Sequence, residues 1–178
     1  MATLLTGIVY PSVVTVFANL FFREKATGSL VTSNGSKIGS VLIGQKFDSL
    51  KYFWSRPSSV EYNPMPSGGS NLGPLNPKLR EEITRRSESF ILGNQLLREH
   101  SIPAEMIFAS GSGLDPHISP EAALIQLKRV AKARGFDQVM ENNLAEIIQN
   151  LTEGRQYFIF GEPRINVFKL NLMTDSLK

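Results

Sequence analysis

Residues 112–135 read SGLDPHISPEAALIQLKRVAKARG, a tight loop followed by a helix with clear punctuation at both ends. Ser119 is placed to cap the first free amides, Pro120 fits the first helical position, and Glu121 sits where the helix dipole favours an acid. Lys132 and Arg134 stand near the negative end, and Gly135 supplies a left-handed stop. Ala123, Leu124, Leu127, Val130 and Ala131 share one apolar face that is expected to pack on a core. Gln126, Lys128, Arg129 and Lys132 point elsewhere and read as a solvated basic face. Ile125, stranded among them, is either an incidental exposed residue or a partner contact.

Working outward, a second helix follows, capped by Asp137, striped by Met140, Leu144, Ile147, Ile148 and Leu151, and closed by Gly154. Upstream, Ile102–Ala109 reads as a strand. Before it a helix runs from Pro77 to about Leu97, with Leu79, Ile83, Phe90 and Ile91 inward and Arg80, Glu82, Arg85 and Arg86 outward. Asn76 is its cap. The last part of the chain reads as Ile159-Phe160, a turn at Gly161–Pro163 and a strand over Arg164–Leu172, whose alternation slips between Val167 and Phe168. Nearer the N-terminus, Ser29–Val31 and Val41–Ile43 look like strands flanking an Asn34-Gly35 hairpin turn. Between these regions, Tyr52–Pro77 is a long loop centred on Ser67-Gly68-Gly69-Ser70-Asn71-Leu72. It is an ordered surface segment, or an amide nest for an anion beside a helix start; a loop of this length is usually functional or pinned to a partner. The fold expected is a mixed α+β soluble domain.

Residues Ala2–Phe22 carry no charged side chain, and as a helix they span roughly 30 Å, the thickness of a bilayer core. No basic segment precedes them and no small-x-small cleavage site follows, so a membrane span is favoured over a signal peptide. Gly7, Pro11, Ser12, Thr15, Ala18 and Asn19 cluster towards one side, where a neighbouring helix can approach closely. Gly7, Ser12, Thr15 and Asn19 are therefore the candidate packing positions. The expected organisation is a transmembrane helix over 1–22 and a soluble domain over 23–178. One helix encloses no pore, so any transport role is that of a subunit. Arg23 and Lys25 after the span would, by charge alone, place the soluble part in the cytoplasm.

The chain has 178 residues, 42% of them apolar, enough to fill one core. Its net charge of +3 is spread along the sequence, which argues against nucleic-acid binding. With no cysteine and only His100 and His117, thiol chemistry and the usual metal spacings are ruled out as readings of this sequence. Gly39–Lys46 misses the phosphate-loop pattern, because Gln45-Lys46-Phe47 replaces its Lys-Ser/Thr. Ser112, Asp115 and His117 suggest a nucleophile set, but they lie within six residues and read more simply as a turn. A membrane-anchored hydrolase using Ser112 and His117 is the alternative reading.

Taken in order, several pieces resemble the C subunit of the Kdp potassium-transporting ATPase. They are Gly39-Ser40 with Leu42-Ile43-Gly44-Gln45 and Phe47, Tyr52-Phe53, Arg56-Pro57-Ser58, Tyr62-Asn63, Ser67–Leu72 and Asn76-Pro77. Ser112–Asp115, Ile118-Ser119-Pro120, Ala122-Ala123, Gln126, Arg129–Arg134, Gly161, Pro163, Asn166-Val167 and Leu170–Leu172 complete the set. The resemblance implies a non-catalytic accessory subunit with one transmembrane helix in the cell inner membrane and its soluble domain outside the cytoplasm. Its partners would be the potassium-translocating subunit, the P-type ATPase subunit and a small single-span subunit. The family is described as a catalytic chaperone that raises the pump's ATP affinity. On that account Gln126 and Ser67, Gly68, Gly69, Ser70 and Asn71 are candidate nucleotide or partner contacts. The chain would carry no cofactor of its own, ATP and potassium being handled by the complex, and any ATP effect would be transmitted through partners.

Overall fold

The computed structural model describes residues 1–177 except Asn34. The chain divides into two compact units, Met1–Leu42 and Ile43–Lys178.

The first unit opens on a helical run over Ala2–Phe21 with a mean hydropathy of 1.7 and no buried residue in it. It comprises α1 (Ala2–Leu4), a π turn (Leu5–Val9) and α2 (Tyr10–Phe21). Pro11 explains the widened turn: its ring excludes the carbonyl four residues back, and it has no N–H to offer it. A short α3 (Arg23–Ala26) leads into β1 (Leu30–Ser33) and β2 (Ser36–Ser40). The two strands pair antiparallel from Leu30↔Ser40 to Ser33↔Ser36, with an irregularity between Val31 and Thr32. The second strand thus precedes the expected Val41–Ile43, which lies beyond the ladder. Asn34, half of the expected turn, lies outside the described residues.

In the second unit, α4 (Pro77–Asn94), α5 (Pro120–Arg134), α6 (Gln138–Asn150) and α7 (Val167–Ser176) surround one core. Phe53, Phe90, Met106, Ile118, Leu127, Val130, Leu144, Ile148, Ile165, Val167 and Leu170 are its larger members. Helix α5 lies centrally, packed on α4 and α6, and α7 packs on α6. A two-residue ladder joins β3 (His117–Ile118) to β4 (Ile165–Asn166), tying the entry of α5 to the entry of α7. The expected caps form: Asn76, Ser119 and Asp137 accept from the amides of Lys78, Ala122 and Met140, and Gly135 ends α5 at φ 69°.

Several expected elements differ. Ile102–Ala109 is not a strand. After Pro103 the chain coils into a 3-10 turn (Ala104–Met106), and the amides of Ile107 and Phe108 both return to the Ala104 carbonyl. The expected strand over Arg164–Leu172 lasts two residues before α7 begins. Asn166 accepts from the Lys169 amide and starts the helix, and Val167, Leu170, Asn171 and Thr174 then bury one helical face. The apparent slip in alternation was therefore a change of period from strand to helix. Helix α4 stops at Asn94, where Gln95 turns left-handed, three residues short of Leu97. Helix α6 ends at Asn150 without reaching Gly154. Arg86, read as outward, is mostly covered. It pairs with Glu82 at 2.8 Å and donates to the Ile107 carbonyl.

Candidate functional site

The face of α5 read as solvated is the opposite. Gln126 has no exposed surface, Arg129 is 6% exposed, and Leu124, assigned to the core, is half exposed. Ile125 packs partly against the core and does not stand free. The cause is the segment that crosses α5. Residues 50–56 belong to no helix or ladder, yet Phe53 is fully buried and its neighbours are largely covered, so their peptide groups need partners inside the protein.

Side-chain amides supply those partners. The Gln126 Oε1 accepts from the Trp54 amide at 2.7 Å, while its Nε2 donates to the carbonyls of Ala122 at 3.1 Å and Trp54 at 3.4 Å. Asn171 on α7 does the same for Phe53, accepting at 2.8 Å and donating at 3.0 Å. Each carboxamide presents one donor and one acceptor in the geometry of a peptide group, so the strap gains the bonding of a strand edge without a neighbouring strand. Arg129 completes the clamp. Its guanidinium donates to the carbonyls of Leu50 (2.7 Å) and Tyr52 (3.0 Å), to Asn94 Oδ1 (2.8 Å) and to Gln126 Oε1 (2.8 Å), and lies 4.1 Å from the centre of the Trp54 ring. All of these acceptors are neutral. Burial pulls the Arg129 pKa down to about 10, still well above neutrality. Below it, Arg134 donates to the Lys51 carbonyl and pairs with Asp175 at 2.7 Å.

The Ser67–Asn71 loop is held by backbone contacts. The Gly68 amide donates to the Ser112 carbonyl at 3.0 Å, and Ser59 donates to the Gly68 carbonyl at 2.7 Å. Gly113, at φ 70°, must be glycine here, because a Cβ would lie 2.6 Å from Val60 and 2.8 Å from the Gly68 carbonyl. No hydrogen bond or ring contact joins this loop to Gln126 among the described residues. A hollow of about 690 Å³ along α4, lined by Leu75, Arg80 and Arg85 among others, meets neither.

The Ser112–His117 turn is structural in its bonding. Ser112 Oγ accepts from the Leu114 amide at 3.1 Å, and Asp115 accepts from the His117 amide at 3.0 Å. Asp115 also pairs with Arg56 at 2.7 Å and with His117 Nδ1 at 3.5 Å. Burial pushes the Asp115 carboxyl up, but the hydrogen bonds from His117 and Arg56 outweigh it and hold the pKa at about 2. No hydrogen bond joins Ser112 to His117 among the described residues, so the nucleophile–base contact a hydrolase needs is missing. No group of three or more His, Asp or Glu side chains is placed to hold a metal among those residues.

In the N-terminal helix, Thr15 donates to the Pro11 carbonyl at 2.7 Å and Asn19 donates to the Thr15 carbonyl at 2.8 Å. Gly7 lies in the π turn with nothing within 4 Å of where a Cβ would stand, and Ser12 is exposed. Folding their donors back onto the helix lowers the cost of Thr15 and Asn19 in lipid.

The family model described as K+-transporting ATPase, c chain, matches residues 1–176. The chain belongs to the KdpC family. Curated relatives named potassium-transporting ATPase KdpC subunit agree. The one from Caldanaerobacter subterraneus subsp. tengcongensis is 47% identical over 168 residues, covering 94% of this chain and 86% of that protein. Those from Burkholderia orbicola and Geobacter metallireducens are 46% and 47% identical, each covering 98% of this chain and at least 90% of its relative. The chain is thus a subunit of a potassium-transporting ATPase with an accessory role, and its apolar helix is a candidate span for a KdpC-family membrane anchor. What the sequence missed at the site is the clamp itself. Arg129 and Asn171 fall within segments that carry the resemblance, but nothing local to them or to Asn94 marks a side chain that turns inward to build the clamp.

Proposed function

We propose that the chain is a non-catalytic accessory subunit. Its span over 1–22 lies in the inner membrane, and its soluble domain over 23–178 lies outside the cytoplasm. It stabilises the assembly of the potassium-translocating subunit, the P-type ATPase subunit and a small single-span subunit, and it raises the pump's affinity for ATP as a catalytic chaperone. The observation that carries this reading is the 20-residue apolar helix with none of its residues buried. Such a surface requires lipid and a neighbouring helix. Gly7, Ser12, Thr15 and Asn19 are the positions at which that neighbour approaches.

The chemistry-bearing groups support an accessory role, because Ser112, Asp115, His117, Gln126 and Arg129 are all engaged in holding the chain together. For Gln126 the influence on ATP is indirect. It has no exposed atom to offer a nucleotide and acts by fixing the strap at Trp54. The Ser67–Asn71 loop, part of which is exposed, remains a direct partner contact. The test is the whole complex prepared with and without this chain, with a compartment-sensitive reporter on its C-terminus. An extracytoplasmic signal and a higher ATP concentration for half-maximal hydrolysis when the chain is absent are expected. A cytoplasmic signal or an unchanged ATP dependence overturns the proposal.

A further inference from the structure

Between α6 and β4 the chain leaves the body of the domain. All twelve residues from Glu153 to Arg164 are exposed. They form a narrow arm closed by two pairs of backbone hydrogen bonds, Glu153 with Arg164 (2.9 and 3.0 Å) and Gln156 with Phe160 (2.8 and 2.9 Å). At its tip stand Tyr157, Phe158, Ile159 and Phe160, the first two 84% and 95% exposed. Four consecutive large apolar side chains with no covering of their own are not expected on a soluble surface.

Two features select the kind of surface that covers them. The arm carries two arginines and two glutamates, and each cation is matched to an anion of the arm itself. Arg155 meets both carboxylate oxygens of Glu162 at 3.0 and 2.9 Å, and Arg164 meets Glu153 at 3.2 Å. The arm therefore has no net charge. Segments that settle on lipid headgroups carry unmatched Lys and Arg facing anionic phosphates, and this one has none. The second feature is shape. Tyr157 and Phe158 are both left-handed, at φ 51° and 63°, a conformation bulky residues rarely adopt. Held there by the Gln156–Phe160 bonds, the tip has a defined form before it meets anything. A fluid lipid surface needs no such form, whereas a protein pocket rewards it. Rigid aromatic anchors inside a charged, self-neutralised rim are the anatomy of a protein–protein hot spot.

We propose that the Tyr157–Phe160 tip is a docking anchor that seats in an apolar pocket on another subunit of the potassium-transporting ATPase. This rests on the reading of the chain as an assembled subunit and names the residues by which its soluble domain is held. The test uses the full complex carrying Phe158→p-benzoylphenylalanine, irradiated in its native membrane, with adducts identified by mass spectrometry. A covalent adduct to a companion subunit is expected. In parallel, Phe158→Ser combined with Phe160→Ser should reduce recovery of companion subunits with this chain by about tenfold at matched expression. The melting temperature of the variant chain should stay unchanged, because both side chains are already exposed.

Co-purification at the wild-type level with adducts only to lipid, or to no protein, overturns the docking anchor while leaving the accessory-subunit reading in place. Failure of the wild-type chain to co-purify with any companion overturns both.

Discussion

The clamp beneath α5 and the tip of the Glu153–Arg164 arm invert the usual distribution of residues, in opposite senses. At the clamp, a glutamine, two asparagines and an arginine lie in the core beside Phe53 and Trp54. At the tip, three aromatic residues and an isoleucine lie in solvent. The comparison shows that each side chain is placed by the partner it needs, and only on average by its polarity. An irregular strap crossing a core needs hydrogen-bond partners more than it needs further apolar contact. An apolar tip without internal cover acquires its partner from outside the chain.

The largest expected effect of breaking this contrast is at Arg129. Arg129→Met keeps the stem but leaves the carbonyls of Leu50 and Tyr52 and the Asn94 amide oxygen short of donors. The full chain should lose about 3 kcal/mol or more of unfolding free energy, read by urea denaturation. Loss of less than about 1 kcal/mol would mean that water replaces the guanidinium and that the clamp is not a sealed site. Gln126→Ala comes next, at about 2 kcal/mol in the same measurement. Gln126→Glu sharpens it. A carboxylate still accepts from Trp54 and gains Arg129 as a counter-ion, but it cannot donate to the Trp54 and Ala122 carbonyls, so it should fall between Ala and wild type.

A smaller effect is expected at the Asp115 turn. Its folded-state pKa of about 2 lies below the ordinary carboxylate value, so the ionised form favours the fold. That contribution is whole above about pH 4 and disappears as pH falls through about 2. Asp115→Asn should flatten this acid limb in thermal melts recorded between those values, and an unaltered limb would assign it to other carboxyls. The smallest effect belongs to the tip. Phe158→Ser should change unfolding free energy by no more than about 0.5 kcal/mol, since little of the ring is covered to begin with. A larger loss would show that the tip packs on its own chain.

Much of the scaffold was legible because its signals are local. Ser119, Pro120 and Gly135 bracket α5, and Asn76 and Asp137 open α4 and α6, because a cap acts on amides within three residues of itself. The apolar run at the N-terminus is equally local. Between Arg164 and Leu172 local reading failed, because β-branched and apolar residues fit a strand as well as a buried helix. What chose the helix was the Asn166 cap together with a face pressed on α6.

The inward turn of Gln126 and Arg129 lay further out of reach. A polar residue on an amphipathic helix is assigned to solvent unless something inside needs its hydrogen bonds, and that need comes from a strap more than seventy residues away in sequence. So the chain's local chemistry was sufficient to place the starts of α4, α5 and α6, the stop of α5, the apolar N-terminal helix and the family resemblance. Which polar groups are sealed in the core and which apolar ones are left outside was settled by tertiary packing, because hydrogen-bond demand and surface cover depend on segments that meet only once the chain has folded.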